Sequence, residues 1–454
     1  MMEKTNIDQP LKNAKRLYFI GIGGISMSSA AMFAKQRGYQ VAGSDKTASP
    51  MTDRLKGQGI EIFVPHRAEN VAGADAVIYT AAVNMENPEM RYAKDHDIPL
   101  FTRAEFLGFI MSFYSNRIGV SGTHGKSTTT SMLAHIFMQA GLDPTIALGA
   151  ELAELGGAYR IGGGPDFIYE SCEYKDSFLS FRPDIALILN IDHDHVDYFF
   201  TMEQMEKSFA KSITGAKTVI ANGADERVGR AVSGFDGRVI RFGYDQAFDF
   251  YPSELTYEHG RAVFDIVAFG SPLCRVRLSV PGQHNVLNAL AAAAAAQVCG
   301  VAPQAIAKGL ASFTGAKRRF ERKGDFHGVE VYDDYAHHPT EIQATLSGVS
   351  ALGYSRVFCV FQPHTYSRTA ELFSEFARSF TAADQVIFAD IYSAREVNTS
   401  GITSADLARA VPGALYFDSF SDIVSYLREN ARPGDLVLTM GAGDVYKIGE
   451  MLLS

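Results

Sequence analysis

The chain has little cysteine. Its four cysteines lie far apart in 454 residues, and no CxxC pair occurs among them. They are Cys172, Cys274, Cys299 and Cys359. This spacing argues against a disulfide framework and against a zinc knuckle, and it is typical of a protein from a reducing compartment.

The sequence also lacks any concentration of basic charge. It has 42 basic and 51 acidic residues, for a net charge of −9, and neither a basic block nor an acidic tail occurs. Proteins that bind nucleic acid or anionic membranes usually carry a clustered basic surface. We therefore expect small-molecule ligands, with no nucleic-acid and no membrane partner.

The sequence also has no long apolar run. The alanine-rich stretch 289–296 is too short and too weakly apolar to span a bilayer. The polar N-terminus leads directly into the apolar segment 17–20, so it lacks the apolar core and cleavage site of a signal peptide. These features predict a cytoplasmic location.

The most informative stretch is a glycine loop at residues 122–128, Gly122-Thr123-His124-Gly125-Lys126-Ser127-Thr128. It follows a short apolar segment and precedes apolar residues at helical spacing. In a strand–loop–helix unit, the loop amides and the helix N-terminus attract an anion such as a phosphate. Lys126 would then reach the outer phosphates of a nucleotide, and the Ser127 hydroxyl would be a ligand for phosphate-bound Mg²⁺.

The glycine loop is a variant of the usual phosphate loop. Val120 stands five residues before Gly125, where the strict pattern has glycine. The alternative interpretation is a helix N-terminus capped by hydroxyl side chains. The preceding strand and the following amphipathic helix favour ATP binding.

A second glycine turn follows the first predicted strand. The candidate residues for binding a nucleotide diphosphate there are Gly21, Gly23, Gly24, Ile25, Ser26 and Asp45. A carboxylate about 20 residues past such glycines usually meets a nucleotide ribose. Ser26 replaces the third glycine of the dinucleotide pattern, so a structural turn and nicotinamide-dependent chemistry remain alternatives.

Polar residues follow two apolar strands in the next part of the chain. Glu173 comes shortly after the strand at 166–169, and the segment 190–197, with His193 and His195, follows the strand at 184–189. Ligands gather at the carboxyl ends of strands in open α/β sheets. Glu173 and His195 are therefore candidate Mg²⁺ ligands, although histidine is unusual for that ion. A zinc site and a solvated charged loop are the alternatives.

Two further segments carry candidate nucleotide contacts. His284, Asn285 and Asn288 begin an alanine-rich helix, where they would either hydrogen-bond a base edge or cap the helix. The basic segment 317–321 begins a third unit, and its two arginines are candidates to neutralise phosphate across a domain gap.

The third unit alternates strands and helices, as a doubly wound sheet does. Four loops in it are rich in histidine, aspartate, arginine and glycine, and we expect them to share one edge of the sheet. They are residues 333–339, 362–368, 390–396 and 441–444. The whole sequence predicts an α/β protein of three domains: a Rossmann-like domain at 1–113, a central P-loop ATPase-type domain at 114–316, and a Rossmann-like domain at 317–454.

Taken in this order, the motifs resemble those of the Mur ligases of bacterial cell-wall synthesis, and the likeness runs from Phe19 to about Tyr446. The segments that carry it are 21–28, 122–130, 190–197, 281–292, 317–321, 333–341, 361–369 and 440–444. The resemblance implies a UDP-sugar in the first domain, ATP in the second and an amino acid in the third. It implies an ATP-dependent, Mg²⁺-requiring amide ligase that joins L-alanine to UDP-N-acetylmuramate through an acyl phosphate, in peptidoglycan precursor synthesis.

The resemblance also implies roles for individual residues. Catalytic roles fall to Lys126, His195, His337 and Arg368, with Arg368 clamping the carboxylate of the amino acid. ATP contacts fall to Gly122, Thr123, His124, Gly125, Lys126, Ser127, Thr128, His284, Asn285, Asn288, Arg318 and Asp334. UDP-sugar contacts fall to Gly21, Gly23, Gly24, Ile25, Ser26 and Asp45, and metal contacts to Ser127, Glu173 and His195.

The chain departs from the family pattern at two positions, and other functions compete with the ligase. Ser26 stands where the family often has glycine, and Thr365 stands where some members carry arginine. One alternative is a murein-peptide ligase of the same family, and a distant one is an NAD-dependent UDP-sugar dehydrogenase. A third is a nucleotide-gated regulatory protein without chemistry. A homodimer is compatible with all of them.

Overall fold

The computed structural model describes residues 8–80, 83–152, 155, 157–195, 198–394 and 396–454. Three β-sheets follow one another along the chain, and helices flank each of them. The predicted α/β architecture with three sheets is confirmed. Val196 and Asp197 of the segment 190–197, and Arg395 of the loop 390–396, lie outside the described residues.

The first sheet has five parallel strands in the order β3-β2-β1-β4-β5. Its elements are α1 (Asp8–Asn13), β1 (Arg16–Ile20), α2 (Ile25–Gln36), β2 (Gln40–Ser44), α3 (Pro50–Gly57), β3 (Glu61–Phe63), β4 (Ala76–Tyr79), α4 (Pro88–Asp95), β5 (Leu100–Thr102) and α5 (Arg103–Met111). The central strand β1 is apolar and buried from Leu17 to Ile20, as a parallel strand covered on both faces should be. The second glycine turn therefore lies at the carboxyl edge of this sheet.

The central sheet has ten strands in the order β15-β14-β13-β12-β11-β10-β6-β9-β7-β8. Its strands are β6 (Asn116–Ser121), β7 (Thr145–Leu152), β8 (Gly157–Arg160), β9 (Asp166–Glu170), β10 (Ile185–Ile188), β11 (Thr218–Asn222), β12 (Arg238–Phe242), β13 (Phe250–Glu258), β14 (Arg261–Ala268) and β15 (Ser271–Pro281). Its helices are α6 (Lys126–Gln139), α7 (Met202–Ser212), α8 (Glu226–Val232), α9 (Gln283–Val298) and α10 (Pro303–Ser312). The strands β6, β9, β10 and β11 are parallel, so the loops after them meet at one edge.

The third sheet has six strands in the order β16-β17-β21-β18-β19-β20. Its strands are β16 (Glu321–Phe326), β17 (Val329–Asp334), β18 (Val357–Phe361), β19 (Gln385–Phe388), β20 (Leu415–Tyr416) and β21 (Leu436–Met440). Its helices are α11 (Pro339–Ser350), α12 (Tyr366–Glu371), α13 (Phe373–Ala377), α14 (Ser404–Ala410), α15 (Phe420–Asn430) and α16 (Tyr446–Leu453). β17, β18, β19 and β21 are parallel, so the loops after them leave from the same edge, as predicted.

The alanine-rich helix α9 is a core helix of the central domain. Ala289 to Ala296 are fully buried and pack in one cluster with residues of α6 and of the central strands. Small side chains let the helix approach its neighbours closely. Across the described residues, no helix combines the length and apolar character needed to cross a membrane.

The first two domains share an apolar core, whereas the third is joined through polar groups. Phe33 of α2 lies 5.9 Å from the ring of Tyr159 and 5.8 Å from that of Phe167, and one buried cluster continues across this boundary. The third domain has its own apolar clusters and meets the central domain through ion pairs such as Lys317–Glu151. The first two domains therefore share buried apolar packing, and ion pairs are among the contacts that join the third domain to the central one.

Replacing Gly108 of α5 with alanine is expected to destabilise the boundary between the first two domains. A β-carbon there would lie 2.3 Å from the carbonyl oxygen of Ser180, so the packed backbone must shift. We expect a loss of about 1–3 kcal/mol, as for other overpacking substitutions, measured from the urea midpoint. Gly229→Ala in α8 is the control, because a β-carbon there meets no atom within 4 Å. Equal midpoints for the two variants would contradict the prediction.

Candidate active site

The glycine loop connects β6 to α6, as predicted. Gly122 has φ +140° and Gly125 has φ +84°, which L-residues with side chains rarely adopt. A β-carbon at Gly125 would also lie 2.7 Å from Oδ1 of Asn288. The amides of Thr123 and His124 donate to the carbonyl and side-chain oxygens of Asn190, at 3.1 and 2.8 Å. The loop is thus fixed against the segment that follows β10.

Lys126 forms a buried ion pair with Glu173. Its Nζ donates to the two carboxylate oxygens at 3.1 and 3.0 Å, and to the carbonyls of Gly122 and Thr123 at 2.5 and 3.0 Å. Burial alone would lower the pKa of Lys126, but the charge of Glu173 outweighs it and raises that pKa. Burial would raise the pKa of Glu173, but Lys126 and then His195 bring it below its usual value. Both members of the pair are therefore charged at neutral pH.

Glu173 and His195, two of the predicted metal ligands, lie side by side. Nε2 of His195 is 3.6 Å from Oε1 of Glu173, and its ring packs 4.6 Å from that of Tyr174. Ser127, the third predicted ligand, is buried in the first turn of α6, next to Lys126. These side chains offer a hydroxyl, a carboxylate and an imidazole beside the loop. The Lys126 ammonium lies beside Glu173, where a metal ion bound to this carboxylate would also lie.

A cavity of about 420 Å³ lies between the central and third domains. This volume is within the usual range for small-molecule sites. The predicted residues that line it are His124, Gly125, Thr128, His284, Asn285, Asn288 and Asp334. Gly122, Thr123, Lys126, Ser127 and Arg318 are not part of its wall. Its apolar surface comes from residues such as Leu189, Phe242 and Phe313.

The first turn of α9 presents a fixed polar edge to this cavity. Asn285 donates to the carbonyl of Pro281 at 2.6 Å, and Asn288 donates to Oδ1 of Asn285 at 3.0 Å. Burial lowers the pKa of His284 to about 4, so its imidazole is neutral at pH 7. The sequence left base binding and helix capping open for these three residues. The structure shows local hydrogen bonding by the two asparagines and a place for all three in the cavity wall.

The two arginines of the basic segment have different environments. Arg318, predicted to contact ATP, donates to Asp333 at 2.9 Å and to the carbonyls of Gly441 and Gly443 at 2.6 and 3.0 Å. Arg319 instead lines the cavity. The sequence could not distinguish them, because the direction of each side chain depends on the local backbone. Arg318 has φ +58°, a conformation that no simple pattern predicts.

Asp334 ends β17 at the cavity. Its carboxylate accepts hydrogen bonds from the amides of Phe320 and Ala336 at 2.8 and 2.7 Å. Burial raises the pKa of Asp334 to about 6, and the charge of Arg319 opposes this increase. Asp334 therefore fixes the backbone that carries Arg319 into the cavity wall.

Arg368 of α12 reaches across the cleft to the central domain. Its Nε and Nη2 donate to Oδ1 of Asp194 at 3.0 and 2.8 Å, and its Nη1 lies 3.1 Å from Nδ1 of His364. Both charged side chains are about nine-tenths buried. Burial would raise the pKa of Asp194, but Arg368 outweighs it and holds that pKa well below its usual range. Arg368 is thus a buried interdomain ion-pair partner.

His337 lies next to this pair on the loop after β17. Its Nδ1 donates to the carbonyl of Tyr335 at 3.1 Å, and its ring centre is 5.9 Å from that of His364. Burial lowers the pKa of His337 to about 3. The imidazole is therefore neutral, with Nε2 as a hydrogen-bond acceptor.

A second set of interdomain contacts surrounds His124. Its Nε2 lies 3.1 Å from Oδ2 of Asp192, and its Nδ1 lies 3.3 Å from Oε1 of Glu341 on α11. Thr340 donates to the same Asp192 oxygen at 2.7 Å. Nε2 of His338 donates to the carbonyl of His193 at 3.2 Å. Sequence analysis missed Glu341, Thr340 and Asp192, because their importance depends on how the third domain packs against the central one.

We expect His124 to titrate well above an ordinary histidine. Burial alone would lower its pKa, but hydrogen bonds to Asp192 and Glu341 raise it to about 9. Because the folded pKa is raised, the bonds stabilise the contact between the central and third domains fully below about pH 6.5, and this stabilisation is lost as the pH rises through about 9. An NMR titration of the imidazole should show this midpoint, and Glu341→Gln should lower it. A wild-type midpoint at or below that of a free histidine would contradict the assignment.

The second glycine turn, in the first domain, is hydrogen-bonded to the carboxylate of Asp45. Gly21 has φ +79°, and its amide donates to the carbonyl of Ser44. Asp45 accepts from the amides of Gly23 and Lys46 at 2.9 and 2.7 Å. The remaining predicted residues, Gly24, Ile25 and Ser26, lie where the turn enters α2. Asp45 was predicted to contact a nucleotide ribose. In the structure it stabilises the glycine turn by accepting hydrogen bonds from backbone amides.

A buried glutamate that sequence analysis missed stabilises the same turn. Glu89 is fully buried and accepts hydrogen bonds from Tyr18 at 2.8 Å, Ser44 at 2.6 Å and Asn70 at 3.0 Å. His66 lies 2.9 Å from it. Because the Ser44 carbonyl accepts from the turn, this network fixes the carboxyl edge of the first sheet. No motif marks Glu89, whose partners come from distant parts of the sequence.

Comparison with known proteins shows which sequences and structures the whole chain resembles. The chain is 46% identical over 98% of its length to the UDP-N-acetylmuramate--L-alanine ligase of Clostridium acetobutylicum, covering 99% of that protein. The crystal structure of a UDP-N-acetylmuramate-alanine ligase from Thermotoga maritima is similar, with a TM-score of 0.82, 28% identity and coverage of 96% of this chain and 98% of that one. A murein peptide ligase from Psychrobacter arcticus has a TM-score of 0.74 and 25% identity, with coverage of 97% and 98%.

Family descriptions match all three parts of the chain. "Mur ligase family, catalytic domain" matches residues 16–115, and "Mur ligase middle domain" matches residues 120–296. "Mur ligase, glutamate ligase domain" matches residues 318–443. Together with the three sheets and the glycine loop, these matches show that the chain belongs to the Mur ligase family.

Proposed function

We propose that this protein is an ATP-dependent amide ligase that joins L-alanine to UDP-N-acetylmuramate in the cytoplasmic synthesis of peptidoglycan precursors. The observation that carries the proposal is the glycine loop, whose Gly125 and Thr128 line a cavity between two domains while Lys126 lies beside it. Relatives that are 44–46% identical over nearly the whole chain carry the name UDP-N-acetylmuramate--L-alanine ligase. From that name we take UDP-N-acetylmuramate as the acid and L-alanine as the amine.

The proposed chemistry has two steps. A carboxylate oxygen of the sugar's lactyl group attacks the γ-phosphorus of ATP, which forms an acyl phosphate and releases ADP. The amine of L-alanine then attacks the acyl carbon, and phosphate leaves from the tetrahedral intermediate with one of the original carboxylate oxygens. The nitrogen of L-alanine keeps one proton in the amide and releases the others to solvent. The products are therefore the amide, ADP and inorganic phosphate.

Lys126 would stabilise the charge that develops on the γ-phosphoryl group. In the structure its ammonium is held by Glu173 and by two loop carbonyls. The phosphate oxygens would take over some of these contacts when ATP enters. An already oriented donor of this kind contributes roughly 3 kcal/mol to transition-state stabilisation.

The residues present are suited to hold Mg²⁺. Ser127 and Glu173 supply the oxygen atoms that this ion prefers, and His195 adds a nitrogen within 3.6 Å of the carboxylate. The full burial of Glu173 beside a cation supports this assignment, because the site already stabilises positive charge there. When bound, Mg²⁺ would neutralise charge on the triphosphate and so ease the approach of the carboxylate. Ser127, Glu173 and His195 would hold it.

The amino acid is assigned to the third domain. Arg368 would clamp its carboxylate with a two-pronged hydrogen bond, in place of part of the pairing with Asp194. The neutral His337 would accept a hydrogen bond from the amine through Nε2. Residues 1–113 would bind the UDP-sugar, residues 114–316 ATP, and residues 317–454 the amino acid. Arg319 is proposed as the phosphate contact that Arg318 was predicted to be.

Product formation tests the proposal. ADP and phosphate should appear over many turnovers when ATP, Mg²⁺, UDP-N-acetylmuramate and L-alanine are all present, and mass spectrometry should detect the alanyl amide. Omission of L-alanine should abolish steady turnover. Equal ADP formation without the amino acid would contradict the ligase assignment and would favour a nucleotide-hydrolysing regulator.

One second candidate has structural support. The similarity to a murein peptide ligase leaves a peptide as a possible amine donor. Competition between L-alanine and the cell-wall tripeptide separates the two activities, and we expect L-alanine to be used.

Binding of NAD would support the dehydrogenase alternative, and its absence in calorimetry would exclude it. Sedimentation equilibrium would test the proposed homodimer.

A further inference from the structure

We propose that His124, Asp192 and His338 form a site for a divalent transition-metal ion such as Zn²⁺, and that the ion fastens the third domain to the central domain. One ligand atom from each residue lies within 4.8 Å of the other two. His124 and Asp192 belong to the central domain, and His338 is the N-cap residue of α11 in the third. This site is separate from the Ser127, Glu173 and His195 set assigned to Mg²⁺.

Two of the three distances between candidate ligand atoms are close to those of a tetrahedral site. Nε2 of His124 is 3.1 Å from Oδ2 of Asp192, and Nδ1 of His338 is 3.8 Å from the same oxygen. The two imidazole rings are 4.8 Å apart between centres. Ligand atoms at about 2.0–2.1 Å from a tetrahedral zinc lie about 3.3–3.4 Å apart. The pairs at 3.1 and 3.8 Å are near this spacing, and the two histidine nitrogens must move closer together.

Each candidate histidine already has the outer hydrogen bond that metal-binding histidines usually make. The other nitrogen of His124 lies 3.3 Å from the carboxylate of Glu341. The other nitrogen of His338 donates to the backbone carbonyl of His193 at 3.2 Å. Both rings are therefore oriented with the second nitrogen toward Asp192.

Nδ1 of His338 faces the Asp192 carboxylate at 3.8 Å, with the His124 ring beside both groups. This Nδ1 must be an acceptor, because Nε2 carries the proton given to His193. Within the described residues, Nδ1 accepts a hydrogen bond from the Thr340 amide at a long 3.3 Å. Thr340 and Arg227 also orient Asp192, at 2.7 and 3.4 Å. A metal ion would take the place of the proton on Nε2 of His124 and would bind Nδ1 of His338 in place of the long hydrogen bond from Thr340.

The donor set favours a transition metal over Mg²⁺. Two imidazole nitrogens and one carboxylate oxygen suit zinc, copper or nickel, whereas Mg²⁺ requires mostly oxygen ligands. Three protein ligands leave a fourth position open, and His124 and Asp192 both line the cavity. An ion there would bind the side chain of His124 in the glycine loop and connect this loop to His338, at the start of α11. We expect it to inhibit turnover by holding the cleft closed.

Binding of Zn²⁺ alone to the nucleotide-free protein tests the site, independently of the proposed ligase activity. Competition with a chromophoric chelator should give one zinc ion per chain. His338→Gln and Asp192→Asn should each weaken the affinity by at least the roughly 10- to 100-fold that loss of an outer-shell partner costs. His195→Gln and the exposed His96→Gln should leave it unchanged. Circular dichroism checks that each variant is folded.

Several outcomes would overturn the proposal. Unchanged zinc affinity in His338→Gln, or loss of binding in His195→Gln alone, would place the metal elsewhere. X-ray absorption of the zinc-loaded wild-type protein provides a test that needs no variant. The proposal predicts two histidine nitrogens in the metal's first shell, and a spectrum with fewer than two would contradict it.

Discussion

Replacing Lys126 with methionine is expected to lower kcat by at least about 10²- to 10³-fold, the usual cost of removing one oriented donor from a developing charge. Methionine keeps the unbranched apolar part of the side chain but removes the ammonium that contacts Glu173 and the glycine loop. The affinity for UDP-N-acetylmuramate, measured by calorimetry, should be unchanged. The sugar is assigned to the first domain, whose glycine turn has its own support in Asp45 and Glu89.

A stability effect accompanies this substitution and must be separated from it. Glu173 is fully buried, and loss of its cationic partner would cost about 3–5 kcal/mol unless the carboxylate takes up a proton. The double variant Lys126→Met/Glu173→Gln removes both charges. It should recover most of the lost stability in urea unfolding but none of the activity. Recovery of activity with stability would show that Lys126 has only a structural role.

Replacing Arg368 with methionine is expected to reduce kcat/KM for L-alanine by roughly 10- to 100-fold, the cost of one to two charge-assisted hydrogen bonds. The affinity for ADP should change little, because Arg368 is not part of the cavity wall. Arg368→Lys should restore only part of the loss, since an ammonium cannot form the planar two-pronged contact. Steady-state kinetics with L-alanine as the varied substrate measures each effect.

Asp194→Asn separates amino-acid binding from domain closure. In the structure Arg368 is bound to Asp194, so the loss of Arg368 would also weaken the contact between the domains. If Arg368 binds the amino acid, Asp194→Asn should keep KM for L-alanine close to that of the wild type. If Arg368 acts only through Asp194, both substitutions should reduce kcat/KM equally. That result would contradict the assigned role.

Much of the fold and the central part of the site were predictable from local patterns. The glycine loop lies between β6 and α6 because its glycines adopt positive φ and its flanks have strand and helix periodicity. The loops of the third domain share one edge because parallel strands place them there. His284, Asn285 and Asn288 reach the cavity because they occupy the first two turns of α9, at the end of the helix that borders it.

Contacts between distant segments were not predictable in this way. The choice between Arg318 and Arg319 depends on one backbone conformation. The pairing of Arg368 with Asp194, and that of His124 with Glu341, depend on how the third domain sits against the central one. A single sequence specifies side-chain chemistry and periodicity, whereas these contacts arise from packing between domains.

The most direct test of the account follows oxygen from the acid to phosphate. UDP-N-acetylmuramate labelled with heavy oxygen in its lactyl carboxylate is turned over with ATP, Mg²⁺ and L-alanine, and the released phosphate is analysed by mass spectrometry. The account predicts one labelled oxygen in each phosphate, because the carboxylate oxygen that attacks the γ-phosphorus leaves with it. Unlabelled phosphate released together with labelled amide would contradict activation of the acid by the nucleotide held at the glycine loop.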